Sequence, residues 1–162
     1  MKTPVRICFV CMGNICRSPT AEAVMKHLVE KRGLASLFTI ESAGIGDWHV
    51  GDRADARARE TALRRGYALD GRAQQINHRF FDRFDYVMAA DEANRRHLLQ
   101  MAPDEASRKK IHLLRDFDPA SPRGSDVPDP YYGGPEGFEH VVDICEAACR
   151  GLLDHIGSEP KR

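Results

Sequence analysis

The stretch VRICFVCMGNICRSP, residues 5–19, decides how this chain folds. Its first part, residues 5–10, is short, apolar and rich in β-branched side chains, which predicts a buried strand. A turn-like stretch follows it. A helix is then predicted over residues 18–32, because Ser18 can serve as its N-cap and Pro19 suits its first position.

The alternation of strands and helices continues to the end of the chain. Further strands are predicted at 38–43, 86–90 and 111–114, and further helices at 55–65, 91–101 and 135–156, with a long loop rich in Pro, Gly and Asp at 116–134. This order predicts an α/β fold with a parallel sheet and helices on both faces. We expect a single domain over residues 1–157 and a flexible tail over 158–162. In such folds, binding sites form at the carboxyl ends of the strands.

The composition of the 162 residues argues against several classes of protein. Lysine plus arginine and aspartate plus glutamate both number 24, so no global charge indicates a nucleic-acid or anionic-membrane partner. No apolar run is long enough for a membrane span, and the N-terminus lacks the pattern of a secretory signal. The five cysteines are unevenly spaced without a Cys-x2-Cys pair, which argues against a disulfide framework and a structural zinc site. We expect a cytoplasmic monomer or weak dimer that needs no metal and no cofactor.

Residues 11–18, which we call the phosphate loop, carry the predicted chemistry. Cys11 and Arg17 lie six residues apart, and no other cysteine has an arginine at this spacing. Backbone N–H groups of such a loop and of a helix N-terminus attract anions, and the Arg17 fork can bind two phosphate oxygens. Gly13 and Asn14 suit the unusual backbone angles that the loop requires. Helix N-termini and nearby cations favour the thiolate form of cysteine, so Cys11 is predicted to be an ionised nucleophile. The predicted phosphate site consists of Met12, Gly13, Asn14, Ile15, Cys16, Arg17 and Ser18.

Residues 10–19 resemble the phosphate loop of the low-molecular-weight protein-tyrosine phosphatases. Three more regions match that family in order along the chain: 42–44 together with 48–51, then 91–94, and then 129–132. The resemblance implies a four-stranded parallel sheet of order 2-1-3-4 with the phosphate loop after strand one. It also implies hydrolysis of phosphotyrosine and aryl phosphates, with phosphotyrosine-containing proteins as substrates and phosphate or other oxyanions as ligands.

One stretch departs from the family pattern. Many members have His-x-Ala-Arg-Gln after the second helix, where this chain has Gly71-Arg72-Ala73-Gln74-Gln75. We expect the change to affect packing at the sheet edge and not the phosphate site.

The resemblance also assigns the catalytic roles. Cys11 is implied to attack the phosphoryl group and form a phosphocysteine, while Arg17 binds the phosphate. Asp129 is implied to be the general acid that protonates the leaving phenolate and then the base that activates water. Taken alone, an aspartate between Pro128 and Pro130 is also typical of a turn.

Around these three residues the resemblance implies supporting groups and aromatic walls. Asn14 and Ser42 would hold the shape of the loop, and Ser18 would support the Cys11 thiolate as well as cap its helix. Asp91 is expected mainly to cap a helix and secondarily to support the loop. The expected walls of the mouth are Trp48, Tyr131 and Tyr132, with a buried indole as the alternative for Trp48.

The family further implies a reversible disulfide between Cys11 and Cys16 that protects the nucleophile from over-oxidation. A small buried residue is the alternative for Cys16. The remaining cysteines are expected in the core: Cys8, Cys145 and Cys149.

Three other functions fit parts of the pattern. A thiol-linked arsenate reductase shares the fold, but that class uses cysteines after the third strand, and residues 82–110 contain none. A phosphoarginine phosphatase is disfavoured by Ile15, where relatives with that preference tend to have threonine. A catalytically silent phosphotyrosine-binding module is disfavoured by the joint presence of Cys11, Arg17 and Asp129.

Overall fold

The structure, a computed structural model, describes residues 4–159 and contains one four-stranded sheet. All strand pairs are parallel, as the alternation of elements predicts, and the order is β2-β1-β3-β4, as the family resemblance implies. The strands are β1 (Val5–Cys11), β2 (Phe38–Gly44), β3 (Tyr86–Ala89) and β4 (Ile111–Leu113). Since β1 pairs with β2 on one side and β3 on the other, the chain reverses its direction of winding at β1. The carboxyl end of a strand at such a switch point is where open α/β sheets bind ligands.

Helices cover both faces of the sheet. They are α1 (Arg17–Lys31), α2 (Ala56–Arg64), α3 (Phe80–Arg83), α4 (Glu92–Met101), α5 (Glu105–Arg108) and α6 (Pro135–Ser158), with 3₁₀ turns at Ala35–Leu37 and Leu114–Phe117. Helix α6 extends one residue into the predicted tail, and residues 160–162 lie outside the described residues.

The predicted cap of the first helix is wrong. Helix α1 begins at Arg17, Cys16 occupies the N-cap position, and no side chain caps the helix. Ser18 cannot serve as the cap because it lies within the first turn, where its hydroxyl group is engaged with Cys11 and Asn14.

The strict alternation of side chains along β1 divides the core into two layers. Ile7 and Phe9 belong to the layer that includes α1 and α6, while Cys8 and Val10 belong to the layer that includes α3 and α4. All four side chains are at most 1% exposed. Full burial of a side chain such as Ile or Phe contributes about 1.5–3 kcal/mol to stability. Packing on both faces therefore holds β1 firmly in the core, and with it the start of the loop that follows.

Helix α6 lies directly against the turn Leu114–Phe117. A Cβ atom at Gly151 would lie 1.7 Å from the carbonyl oxygen of Phe117, so only glycine fits there. Although α6 has 24 residues, neither it nor any other helix within residues 4–159 is apolar enough over a sufficient length to cross a membrane.

Candidate active site

In the phosphate loop, several backbone carbonyl groups are hydrogen-bonded, while the N–H groups of residues 12–16 are not. Three of its carbonyl groups accept hydrogen bonds from neighbouring segments: Cys11 from Ile45 N–H (3.0 Å), Met12 from Gly46 N–H (2.9 Å) and Ile15 from Asp55 N–H (2.8 Å). None of the backbone N–H groups of residues 12–16 donates to a protein acceptor within residues 4–159. Buried or constrained N–H groups need partners, so this arrangement leaves a set of donors for an anion.

Asn14 fixes the shape of this loop. It is the one non-glycine residue with positive φ in the described chain (φ 57°), a conformation that asparagine tolerates better than most residues. Its Oδ1 accepts from the Gln74 backbone N–H (3.0 Å), and its Nδ2 donates to Ser18 Oγ (2.8 Å) and Ser42 Oγ (2.9 Å). The side chain is only 3% exposed, so these three bonds hold the strained residue in place.

A carboxylate at the far end of this network sets the direction of its hydrogen bonds. Ser42 Oγ donates to Glu22 Oε1 (2.5 Å), and an ionised carboxylate can only accept. The Ser42 oxygen therefore accepts from Asn14, whose second amide hydrogen goes to Ser18. The Ser18 hydrogen can then go to Cys11 Sγ, 3.0 Å from Ser18 Oγ, or to the Ala43 carbonyl at 3.5 Å. The sulfur is the nearer of these two acceptors, so the network favours Ser18 as a donor to it.

Arg17 lies in the floor of the site and is surrounded by negative groups. It is 4% exposed, and its Nη1 donates to Asp91 Oδ2 (2.7 Å) and to the Val127 carbonyl (3.0 Å). Burial opposes its charge, but the electrostatic interaction with Cys11 and the hydrogen bond to Asp91 leave the pKa of Arg17 above its ordinary value. Asp91 also caps α4, so its position is compatible with both of the roles expected for it.

Asp129 lies on the opposite side of the site, on the loop before α6. Its side chain is 49% exposed, and its Oδ2 lies 3.9 Å from Arg17 Nη2. Its Oδ1 accepts from the Tyr131 backbone N–H (3.0 Å), an Asx turn that presents the carboxylate to the cleft. The turn-forming and acid roles considered for Asp129 are therefore geometrically compatible.

These groups line one cleft of about 360 Å³. Trp48 is 63% exposed and Tyr132 92% exposed, so both are wall residues, and the alternative of a buried indole is wrong. The Tyr131 and Tyr132 rings meet edge to face at 5.0 Å. The lining residues are Cys11, Met12, Gly13, Ile15, Cys16, Arg17, Trp48, His49, Asp129, Tyr131 and Tyr132.

His49 was missed as a cleft residue by the sequence reasoning. Its Cδ2 atom lies 3.1 Å from the position that a Cβ atom would take on Gly13, and its Nδ1 lies 3.1 Å from Asp52 Oδ2. The sequence indicated only its neighbour Trp48, because an aromatic side chain at that position was expected to form a wall of the cleft.

Arg57 connects the phosphate loop to the aromatic wall. It pairs with Asp55 (Nη2–Oδ2 2.9 Å), whose backbone N–H binds the loop, and its guanidinium lies 5.2 Å from the centre of the Tyr131 ring. Burial works against ionisation of Asp55, yet the hydrogen bonds from Arg57 hold the pKa of this carboxyl below its usual range. No local sequence pattern indicated this link.

The segment that departs from the family pattern also reaches the phosphate loop. Gln74 donates its backbone N–H to Asn14, and its side chain Nε2 donates to the Ser42 carbonyl (2.9 Å). The expectation that this segment affects only the sheet edge was therefore too narrow. A side-chain motif could not have predicted this support, because its main contact is a backbone amide.

All five cysteines are free thiols in the structure. Cys8, Cys145 and Cys149 are completely buried, as expected for core residues. Cys16 is 5% exposed at the edge of the cleft, and burial raises the pKa of its thiol well above the ordinary value.

A second cleft of about 380 Å³ lies beyond Asn14 and Ser42, next to Glu22 and Gly71. Although it is slightly larger, Cys11, Arg17 and Asp129 all line the first cleft and not this one. We therefore assign the chemistry to the first cleft.

Comparison with known proteins agrees with this architecture. A model of the family low molecular weight phosphotyrosine protein phosphatase matches residues 6–162. The chain is 50% identical over 149 residues to a low molecular weight protein-tyrosine-phosphatase of Streptomyces coelicolor, covering 91% of each chain. A crystal structure of a protein tyrosine phosphatase from Entamoeba histolytica with Hepes in the active site matches with a TM-score of 0.90 at 40% identity, covering 94% of this chain and 97% of that one. The crystal structure of YfkJ from Bacillus subtilis matches with a TM-score of 0.90 at 38% identity, covering 99% of both chains.

The sheet order and the loop after β1 are thus those of a phosphatase fold, and the protein is a phosphoric monoester hydrolase. The chain belongs to the low molecular weight phosphotyrosine protein phosphatase family.

Proposed function

We propose that this chain hydrolyses phosphotyrosine in proteins, with Cys11 as nucleophile, Arg17 as phosphate ligand and Asp129 as general acid and base. The observation that carries the proposal is the phosphate loop. Its N–H groups at residues 12–16 have no protein acceptor within residues 4–159, and they belong to the same short loop as the Cys11 sulfur and the Arg17 guanidinium. A phosphate dianion supplies the acceptors that these donors lack.

In the first step, the Cys11 thiolate attacks phosphorus in line with the tyrosyl oxygen. The S–P bond forms as the P–O bond breaks, and protonated Asp129 gives its proton to the departing phenolate oxygen. The loop N–H groups and Arg17 stabilise the charge on the transferring phosphoryl group. The product is a phosphocysteine and a free tyrosine side chain.

In the second step, Asp129 as carboxylate takes a proton from water, and the resulting hydroxyl attacks phosphorus. The S–P bond breaks, inorganic phosphate forms, and the sulfur leaves as a thiolate. Ser18, 3.0 Å from that sulfur, donates a hydrogen bond to the leaving thiolate. Neither step requires a metal or an organic cofactor.

The aromatic mouth supports phosphotyrosine as the substrate. Trp48, Tyr131 and Tyr132 offer apolar faces above the phosphate loop, where a phenyl ring that carries the phosphate would lie. The relatives named above are described as tyrosine phosphatases. Arsenate reduction and phosphoarginine hydrolysis have no specific observation in their favour.

The catalytic assignment is tested by two variants assayed with p-nitrophenyl phosphate. Cys11→Ser should abolish turnover while phosphate or vanadate still binds, and Asp129→Ala should slow formation of the phosphocysteine by roughly 10²-fold or more. Asp126→Ala is the matched control, because Asp126 lies on the same loop and binds the Glu92 N–H outside the cleft. Normal turnover in the Cys11 or Asp129 variant would refute the assignment.

We also propose that peroxide oxidises Cys11 to a sulfenic acid, which condenses with the Cys16 thiol to a disulfide and releases water. The support is that both residues line the same cleft five positions apart. Inactivation by hydrogen peroxide should then be reversed by dithiothreitol in the parent protein. If Cys16→Ser recovered equally well, the disulfide would have no protective role. A cytoplasmic location and a monomeric or weakly dimeric state remain predictions from the sequence.

A further inference from the structure

A rim beside the catalytic cleft is held against the phosphate loop at both of its ends. The rim consists of residues 48–55. At one end His49 packs against Gly13, and at the other the Asp55 N–H donates to the Ile15 carbonyl (2.8 Å). A peptide that enters the cleft with a phosphotyrosine side chain must lie across a surface of this kind.

The rim pairs with the segment that departs from the family pattern. Gly51 N–H donates to the Ala73 carbonyl (2.9 Å), and Ala73 N–H donates to the Asp52 carbonyl (2.8 Å). The next pair along is an antiparallel bridge between Arg53 and Arg72, two exposed arginines directly opposite each other. Like charges in this arrangement are destabilising.

No carboxylate within residues 4–159 forms an ion pair with either of these arginines. Arg72 Nη1 donates to the Gly51 carbonyl (3.0 Å), which holds its guanidinium at the rim, and Arg53 makes no side-chain hydrogen bond to the described chain. The paired segments therefore bring two arginines opposite each other, and neither has an ion-pair partner within residues 4–159.

The neighbouring carboxylates do not pair with the two arginines. Asp52 lies 3.1 Å from His49, and Asp55 pairs with Arg57 (2.9 Å). Asp70, two residues before Arg72, lines the second cleft together with Arg72 but forms no ion pair with it in the described part of the chain.

We propose that Arg53 and Arg72 form a docking site for carboxylate side chains that flank the phosphotyrosine of an acidic protein substrate, an inference that rests on the proposed function. Guanidinium forks bind carboxylates in a bidentate manner, and a carboxylate between the two forks would relieve their mutual repulsion. Arg53 is two residues from Asp55, so their α carbons are at most about 7 Å apart. The Asp55 N–H binds the Ile15 carbonyl of the phosphate loop, so Arg53 lies near the loop. An extended peptide advances about 3.3 Å per residue, and we expect the contacted side chains to lie within a few positions of the phosphotyrosine.

The test compares kcat/KM for matched phosphotyrosine peptides with Glu, Gln or Lys on both flanks. The protein should prefer the Glu peptide over the Gln peptide by roughly three- to tenfold at low ionic strength, and the preference should shrink as salt is added. Arg53→Gln/Arg72→Gln should remove the preference, and Arg53→Glu/Arg72→Glu should reverse it towards the Lys peptide. Equal kcat/KM of the parent protein for the Glu and Gln peptides would overturn the proposal.

Two controls separate docking from a structural role. Arg96→Gln removes an exposed arginine on α4, which packs on β3 and β4 at the other edge of the sheet, and it should leave the preference intact. The double Gln variant should hydrolyse p-nitrophenyl phosphate at the parent rate and should not melt at a lower temperature, because it relieves a like-charge contact. An equal loss of preference in Arg96→Gln would indicate a general charge effect and would refute the site.

A binding measurement keeps this inference distinguishable from the proposed mechanism. Fluorescence anisotropy with the Cys11→Ser background should give a dissociation constant for the Glu peptide several-fold below that for the Gln peptide, and the two Arg→Gln changes should abolish the difference. This readout does not depend on turnover, so it would stand even if the catalytic roles were reassigned. Equal dissociation constants for the two peptides would refute the docking site without contradicting the phosphatase assignment.

Discussion

The phosphate loop and the loop that carries the acid, residues 118–134, are constructed in opposite ways. In the phosphate loop Asn14 and Arg17 are 3% and 4% exposed, and both are tied to groups from distant parts of the chain. In the acid loop Asp129 is 49% exposed and Tyr132 is 92% exposed. The hydrogen bond that orients Asp129 comes from a residue only two positions away.

This contrast indicates that the two loops contribute to the reaction in different ways. The groups that we propose to hold the phosphate are preorganised, so they would cost little reorganisation at the moment of reaction. The acid loop is anchored at Val127, which binds Arg17 through its carbonyl and Ala90 through its N–H (2.8 Å), while the residues beyond it, apart from the buried Pro130, face solvent. Phosphate binding should therefore be insensitive to changes in the acid loop beyond Val127, and proton transfer should be the step that such changes affect.

The largest effect is expected from Arg17→Lys. Lysine lacks the planar fork and cannot bind Asp91 and two phosphate oxygens together, so kcat/KM for p-nitrophenyl phosphate should fall on the order of 10³-fold. Arg115→Lys is the matched control, because Arg115 uses its fork on the Asp126 carbonyl and Ser121 in the acid loop. If kcat/KM of Arg17→Lys fell by only tenfold or less, the rigidly held Arg17 fork would not be essential for the reaction.

Asp129→Asn should reduce kcat on the order of 10²-fold without weakening inhibition by inorganic phosphate. The loss should be greater for phenyl phosphate than for p-nitrophenyl phosphate, because the poorer leaving group needs the proton more. Equal losses for the two substrates would show that Asp129 is not the proton donor.

Two substitutions of Asn14 separate the effect of its backbone strain from the effect of its side-chain hydrogen bonds. Asn14→Gly and Asn14→Ala both remove the bonds to Ser18, Ser42 and Gln74, so each should lower kcat/KM roughly tenfold. Only alanine also has to adopt φ 57°, so it should be less stable than the glycine variant by about 1–2 kcal/mol in urea unfolding. Identical stabilities would mean that the loop relaxes and is not held in this conformation.

A smaller effect is expected from Glu22→Gln. A neutral amide can donate as well as accept, so it no longer forces Ser42 to point its hydrogen away from Asn14. We expect kcat to fall by roughly threefold through the second step, with little change in KM. Lys26→Gln is the control, because it keeps the carboxylate and removes only its exposed partner. Pre-steady-state release of nitrophenol should show an unchanged burst rate, and a slower burst would contradict this view.

The smallest effect should come from Arg57→Gln, which removes the cationic contact to the Tyr131 ring. An exposed contact of this kind contributes about 0.5–1 kcal/mol, so KM for a phosphotyrosine peptide should rise about two- to fivefold. Hydrolysis of p-nitrophenyl phosphate should hardly change. Arg64→Gln, on the same helix but paired with Glu60, should have no effect on either substrate.

The sequence predicted the parts of the site that depend on local order. The strand, the turn and the Cys11–Arg17 spacing lie within 15 residues, and the alternation of elements together with the family resemblance gave the sheet order. The position of Asp129 near Arg17 followed from the resemblance and not from the residues alone. The prediction from local propensity was wrong at Ser18, because its hydroxyl group lies beside the Cys11 sulfur and does not cap the helix.

The parts that were missed are contacts between distant segments. The role of Glu22 depends on Ser42, 20 positions away, and Gln74 acts through a backbone N–H that every residue type other than proline would supply. The opposition of Arg53 and Arg72 arises only when two loops pair. Such relations depend on register between segments, which composition and periodicity do not encode.

Because only glycine fits at position 151, the contact between α6 and the Phe117 turn limits where residues can be inserted into or deleted from this chain. One inserted residue earlier in α6 would turn the remaining helix by about 100° and bring another side chain against the Phe117 carbonyl. Residues 119–125 of the acid loop are held mainly by hydrogen bonds to nearby positions in the chain and can accept extra residues at a modest entropic cost. Insertions and deletions should therefore be tolerated before Val127 and rejected in the helix that follows.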